Sequence, residues 1–373
     1  MADEGTTASG SGPGRIRPTG QRRKVHGTRR KVLTVVAWSA AGAVVLSGAG
    51  LGYAYFQLNG NLKGVDINSA LGTDRPKNAD DGSTDILLMG SDSRQGTNGK
   101  YGDDGGGARA DTAMVLHVYK GHKKASVVSI PRDTIVSRPE CRKTGGGTSP
   151  AAERAMFNES YQIGGPACSV KTVEKLSGIR MDHYLEVDFT GFKKLIDKLG
   201  GVPVTTGEAI QDKSSRLDLQ PGRHTLDGEQ ALGLVRTRHA VGDGSDLGRI
   251  QLQQAFVKAL INQVENVDLF GSPSKLYGLA DTATRTVTTD SSLASVDDLL
   301  GFAKGLQGIG PKDMSMVTMP VTYDPADPNR VIPLEKKGKQ VWEALRKDRP
   351  IPKSATKGAA GDSADASEVV TSS

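Results

Sequence analysis

The chain is short of the residues on which several common chemistries depend. Two cysteines in 373 residues are too few for a cysteine-built zinc site. No G-x-S-x-G, no P-loop and no H-E-x-x-H occurs, so the usual signatures of serine hydrolases, P-loop nucleotide enzymes and zinc peptidases are missing. Net charge is missing too, once the N-terminus is set aside. Met1–Lys31 holds eight Lys/Arg against two acids, the whole of the formal +6, leaving residues 32–373 neutral overall. The basic character belongs to a tail and not to a domain, and no helix-turn-helix is apparent, so no nucleic-acid partner is expected. The tail is rich in Gly, Ser, Thr and Pro with almost no large apolar residue, a composition that reads as disorder. No internal repeat is present.

Charge is absent again over Val32–Phe56, 25 positions long. As a helix this stretch spans roughly 37 Å, enough for a bilayer core of about 30 Å. Trp38, Tyr53 and Tyr55 lie towards its ends, where aromatic rings prefer the interface. The basic run just before it predicts a single-pass protein of the cell membrane, with the N-terminus cytoplasmic and the following domain extracellular. A cleaved signal peptide is the rival reading, and the length of the apolar run favours a retained anchor. Gln57–Ser83 reads as a polar linker. On the outer side of a membrane Cys141 and Cys168 are free to pair, closing a loop that contains TGGGTSP; two free, buried cysteines are the alternative.

From Thr84 a regular pattern begins. Asp85–Gly90, Thr112–Tyr119 and Ala125–Ile130 are β-branched, apolar runs of strand length. Ala151–Gln162 and Val170–Leu176 read as helices, His183–Phe189 as a strand, Phe192–Leu199 as a helix and Val202–Thr206 as a strand. Arg249–Val264 carries an apolar stripe, Leu252, Phe256 and Leu260, at helical spacing. Further helices are expected near Ser274–Arg285, Val296–Leu306 and Gly338–Arg346, and a strand at Met314–Pro320. The alternation predicts an α/β fold, one sheet with helices on its faces, as a single domain over residues 84–350 followed by a disordered tail, 351–373.

Two features carry chemistry. Each of the first three strands has an Arg and an Asp at an end: Asp92 and Arg94 in LLMGSDSR, Arg109 and Asp111 in RADTAM, Arg132 and Asp133 in SIPRDTIV. Strand ends are the usual ligand positions in open α/β sheets, although Asp is also an ordinary turn residue. The second feature is Leu219–Gln254. Arg236 and Arg238, one residue apart, project to the same side if the chain is extended. Arg249 and Gln253 share a helix face. If the intervening polar loop folds back, the forks of Arg236, Arg238 and Arg249 converge on one anion, the ligand that guanidinium groups fit two oxygens at a time. Asp246 is placed to orient an arginine or hold a metal. A solvated surface of arginines paired with Asp243 and Asp246 is the plainer alternative. His224 reads as a loop residue, and His239 lies close enough to tune the site.

The segments LLMGSDSR, RADT, SIPRDTIV, FNESYQIGGP, VDFTGFKKLIDKLGGV and LDGEQALGLVRTRH, followed by Asp246, Arg249, Gln253 and Gln254, resemble in order the LytR-CpsA-Psr family of cell-wall ligases over roughly Thr84–Val264. The resemblance implies an αβα-layered domain with a central mixed sheet that binds a polyprenyl-phosphate carrier. It implies an enzyme that transfers an anionic glycopolymer (teichoic acid, capsular or arabinogalactan-like) from a polyprenyl-pyrophosphate donor in the membrane lipid to a peptidoglycan acceptor, releasing polyprenyl phosphate. Carried over by motif, Asp92 and Asp111 would hold Mg²⁺ or Mn²⁺ or assist the acceptor hydroxyl. Arg109, Arg132, Arg236, Arg238 and Arg249 would grip the pyrophosphate, with Asp246 and Gln253 completing the site. The family often has Arg-Gln-Gln where this chain has Leu252-Gln253-Gln254, and Leu252 fits the apolar stripe instead. A lipid-pyrophosphate hydrolase and a non-catalytic polyprenyl-phosphate-binding regulator are the competing functions. The insert Gln95–Ala108 has no assigned role.

Overall fold

The computed structural model describes residues 49–79, 82–92, 109–238, 246–267, 272–360 and 370–372. The expected tail 1–31, most of the apolar run 32–56 and the insert 95–108 lie outside the described residues. Among the described residues no helix is long and apolar enough to cross a membrane.

Seven strands build the main sheet: β1 (Lys63–Val65), β2 (Thr84–Asp92), β3 (Arg109–Val118), β4 (Ala125–Ser129), β5 (His183–Asp188), β6 (Val287–Asp290) and β7 (Met314–Thr318), in the order β1-β6-β5-β2-β3-β4-β7. The sheet is mixed. β2 runs antiparallel to β3 and parallel to β5, β3 is antiparallel to β4, and β4 is parallel to β7. Alternation along the central strands explains why both faces are covered. Leu87, Met89 and Val115 enter one apolar cluster with Phe157, Val173 and Trp342, while Ile86, Met114 and Leu116 enter a second on the opposite face with Ile309. The helices are α1 (Ile67–Leu71), α2 (Phe157–Ser177), α3 (Phe189–Lys198), α4 (Gly228–Arg236), α5 (Asp246–Asn266), α6 (Pro273–Thr286), α7 (Val296–Leu306) and α8 (Glu335–Arg346). A third cluster packs α4 and α5 against Val202 and Val204, with Leu252 at 0% exposure within it.

Several expectations are corrected. Ala152–Met156, expected as the start of a helix, is a strand paired antiparallel with Ile135–Arg138, and the helix begins at Phe157. The two expected helices of that region are then one, α2, bent at Gly164 and Gly165. The bend has a steric cause. A Cβ on Gly164 would stand 2.3 Å from the Arg142 carbonyl oxygen, where the hairpin Cys141–Arg142 with Thr148–Ser149 crosses the helix. Cys141 and Cys168 join that hairpin to α2 as a disulfide, S–S 2.06 Å. The segment taken as a polar linker is structured in part, with residues 57–61 helical, β1 on the sheet edge and α1 after it. The C-terminal tail is likewise not structureless throughout. Val370–Ser372 adds a strand to Val202–Thr206, with Val370 buried, and Lys353–Ala355 forms a 3₁₀ turn.

Candidate active site

The end of β2 and the start of β3 form one rim of the site. Register slips between Gly90 and Ser91, so a bulge lies opposite Ala110–Thr112 and turns the Asp111 side of β3 away from regular pairing. Asp92 and Arg109 face each other in this register; their side chains lie outside the described residues. Arg132 follows β4 in a turn closed by the Thr134 amide and hydroxyl, both donating to the Pro131 carbonyl. That turn also caps α2, because the Phe157 and Asn158 amides donate to the Thr134 and Arg132 carbonyls. The helix N-terminus thus gains acceptors, and Arg132 gains a rigid mount.

The opposite rim comes from α4 and α5. Asp227 and Gln230 form a reciprocal capping box that starts α4. The helix runs through Arg236, so Arg236 and Arg238 do not share an extended segment as expected. Arg236 occupies the last helical turn, Thr237 is the C-cap, and Arg238 follows it. Both arginines nevertheless line one cavity of about 310 Å³ with Asp111, Thr112, Phe189, Arg249 and Gln253. The Arg236 guanidinium lies 5.1 Å from the Phe189 ring centroid, a cation–π placement. The Arg238 amide donates to Asp212 Oδ2 at 3.1 Å. Burial opposes the Asp212 charge, but bonds from Ser214, Ser215 and the Arg238 amide outweigh it and hold the carboxyl down at about 2. Gln253 Nε2 donates to the Val235 carbonyl at 3.0 Å, tying α5 to α4. Arg249 is 4% exposed, and its Nη2 reaches the Asp111 carbonyl at 3.3 Å.

Three carboxylates surround Arg132: Asp111 at 2.5 Å, Asp133 at 3.4 Å and Asp246 at 3.5 Å. Burial works against the Arg132 charge, yet these neighbours more than compensate and raise its pKa above the usual value. Asp246 also pairs with Arg249. Burial pushes the Asp246 carboxyl up and the Arg249 guanidinium down, and their contact opposes both shifts. Arg132 Nε, Arg249 Nε and both Asp246 oxygens are buried without a hydrogen bond of normal geometry among the described residues. Arg132 Nε and Asp246 Oδ1 are instead held by ion pairs, so the groups beside the cavity form a buried network of alternating charge.

Chemically the cavity can receive an anion, with three arginines and a carboxylate in its wall. Among the described residues no three His, Cys, Asp or Glu side chains converge as a metal cage. Mg²⁺ asks for less, one or two carboxylates plus phosphate oxygens and water, and the Asp111 carboxylate, lining the cavity and engaged through one oxygen by Arg132, fits that demand. The structure therefore brings together Asp111, Arg132, Arg236, Arg238, Asp246, Arg249 and Gln253. His224 lies on a strand and bonds the Gln220 carbonyl; His239 is outside the described residues. Sequence reasoning missed Phe189 and Asp212. Asp-x-x-Gln at 227–230 is a legible helix start that would have placed Arg236 correctly, and Phe189 lies in the VDFTGFKKLIDKLGGV segment, whereas no local signal marks Asp212.

The LytR_cpsA_psr family model matches residues 54–347. Cell wall biosynthesis protein LcpA of Corynebacterium glutamicum is 35% identical over 325 residues, 80% of this chain and 60% of that protein. The chain thus spans less than two thirds of that relative's length. The polyisoprenyl-teichoic acid–peptidoglycan teichoic acid transferase TagT of Bacillus subtilis is 33% identical over 300 residues, 78% of this chain and 87% of TagT. A solved structure of TagT bound to LI-WTA superposes with a TM-score of 0.56 at 27% identity, covering 76% of this chain and 98% of that one.

Proposed function

The chain belongs to the LytR_cpsA_psr family, and from that premise we propose that it is a phosphotransferase attaching a polyprenyl-pyrophosphate-linked anionic glycopolymer to peptidoglycan. The observation that carries this reading is the cavity in which Arg236, Arg238 and Arg249 face the Asp111 carboxylate. Three guanidinium groups suit a pyrophosphate, and phosphoryl transfer asks a protein for positioning and charge neutralisation more than for a nucleophile. The similarity to TagT, named for joining teichoic acid to peptidoglycan, supports the same donor and acceptor classes here.

The reaction balances without an added reagent. A peptidoglycan sugar hydroxyl oxygen forms a bond to the glycan-side phosphorus. The bond from that phosphorus to the bridging oxygen breaks, and polyprenyl phosphate leaves with the electron pair. The hydroxyl proton passes to the site's carboxylates or to solvent. Arg236, Arg238 and Arg249 hold the two phosphates and take up the charge that grows on the bridging oxygen. Arg132, mounted on the cap of α2, orients Asp111 and adds its charge to the grip on the donor phosphates, and Asp246 holds Arg132 and Arg249 at their spacing. Asp111, with Asp92, would hold Mg²⁺, whose charge would add to that of the arginines. The apolar run with its basic flank supports a membrane-anchored enzyme whose domain lies outside the cell.

The test is to incubate the purified protein with a lipid-pyrophosphate saccharide, Mg²⁺ and peptidoglycan oligomers. A phosphodiester-linked conjugate is expected. Release of free saccharide phosphate with no conjugate would make the protein a hydrolase, and neither product would make it a binding protein.

A further inference from the structure

The segment beyond α7 carries none of the motifs that build the anion cavity, yet it sends one cation to the Arg132 turn. A hairpin formed by β8 (Val321–Asp324) and β9 (Asp327–Pro333) docks beside the Arg132 turn. The Val331 amide donates to the Asp133 carbonyl at 3.4 Å, and Thr134 and Val331 form a parallel bridge. This register sets Arg330 against the Asp133 side chain, with Nη1 3.7 Å from Asp133 Oδ1 and Nε 3.6 Å from Asp327 Oδ2. At 31% exposure Arg330 is neither buried in the core nor free in solvent.

The charges then alternate along a chain. Arg330 faces Asp133, Asp133 faces Arg132, and Arg132 faces both Asp111 and Asp246, the latter held in turn by Arg249. Arg132 is thus claimed by three carboxylates at once. An arriving phosphate must compete with them, and each competes less when another cation neutralises it. Asp246 has Arg249 for that purpose. Asp133 has only Arg330 besides Arg132 among the ion pairs of the described residues.

We propose that Arg330 is a positioning residue for the anion site: by neutralising Asp133 it frees Arg132 to face the donor pyrophosphate. The inference rests on the reading that this cavity binds pyrophosphate. Arg330 acts through Asp133 and does not touch the ligand, so its effect vanishes when Asp133 loses its charge.

Inorganic pyrophosphate titrated calorimetrically into the full-length protein in detergent tests this. Arg330→Ala is expected to weaken binding on the order of 5-fold, the effect of losing one partly exposed charge pair of about 1 kcal/mol. Arg330→Lys should recover most of it, because Asp133 needs a charge and not a fork. Asp133→Asn should bind as the parent does or tighter. Adding Arg330→Ala to Asp133→Asn should change nothing further, which a purely structural role for the hairpin does not predict. Thermal melting of each variant separates misfolding from weakened binding, and the comparison of Arg330→Lys with Asp133→Asn stands even where Arg330→Ala fails to fold. Unchanged binding in Arg330→Ala, or weakening that persists beside Asp133→Asn, overturns the inference while leaving the anion site in place. If the parent and Arg238→Ala bind pyrophosphate alike, the anion-site reading fails and this inference goes with it.

Discussion

Arg238 lies in the cavity wall with its amide anchored on Asp212 and, among the described residues, no carboxylate within ion-pair distance of its guanidinium. Arg238→Ala is expected to cost 10²–10³ in turnover, about 2–4 kcal/mol, as loss of one preorganised donor does. Arg238→Lys should restore only part, because an ammonium cannot make the two-point contact. Asp111→Ala should differ, with turnover lost while lipid-pyrophosphate binding survives, because the proposed mechanism gives the carboxylate to the reaction and the arginines to the grip. Turnover and lipid binding measured side by side distinguish them, and parent-like turnover in both variants would move the site elsewhere. Much of this site is legible in the sequence because its residues come in short segments: Arg236 and Arg238 two apart, Arg249 and Gln253 one helical turn apart. Asp133–Arg330 is not legible, because the pairing depends on where a remote hairpin docks.

At the scale of elements, α5 shows how one helix serves two purposes. Its Leu252, Phe256 and Ala259 enter the apolar cluster while Arg249 and Gln253 line the cavity. Leu252→Ala should therefore destabilise by roughly 2–5 kcal/mol, the usual cost of truncating a fully buried leucine, with substrate affinity less affected in the molecules that fold. A denaturation midpoint equal to the parent's would contradict the packing. The disulfide pins a hairpin to the bent helix α2 across a sequence separation of 27, and reducing it should lower stability by about 3 kcal/mol, read as a fall in unfolding midpoint under reductant. The strand at Ala152–Met156 shows why local reading fails. Its residues, AERAM, favour helix, and only pairing with Ile135–Arg138 makes them a strand, a tertiary preference of the kind that overrides propensity. The strands β2 and β4, by contrast, carry their β-branched and apolar content in their own sequence and lie where that content places them.

At the scale of the whole molecule, a buried histidine joins distant parts of the chain. His117 on β3 contacts Asp85 of β2 at 2.8 Å and Asp348, just past α8, at 3.2 Å, with the Tyr119 ring edge-on to it. Burial opposes its charge, but the two carboxylates prevail and raise its pKa above 6.5. A group whose folded pKa is raised contributes stability that is full below its unfolded value and is lost as pH rises through the folded one. The unfolding midpoint should therefore fall as pH is taken from about 6.5 upward, and His117→Gln should flatten that slope. A slope unchanged in the variant would assign the pH dependence to other groups. The edge strand β1 has a mechanical consequence. It joins the sheet through three register pairs with β6, four strands away from the β3 rim of the cavity in the order β1-β6-β5-β2-β3. A tug on the chain ahead of β1 meets the Tyr55–Asp297, Val296–Asn59 and Asn61–Asp281 bonds in turn before it reaches that short ladder. The sheet edge can fray and re-form while the cavity rim keeps its shape, so the N-terminal edge behaves as a mechanical fuse that protects the cavity.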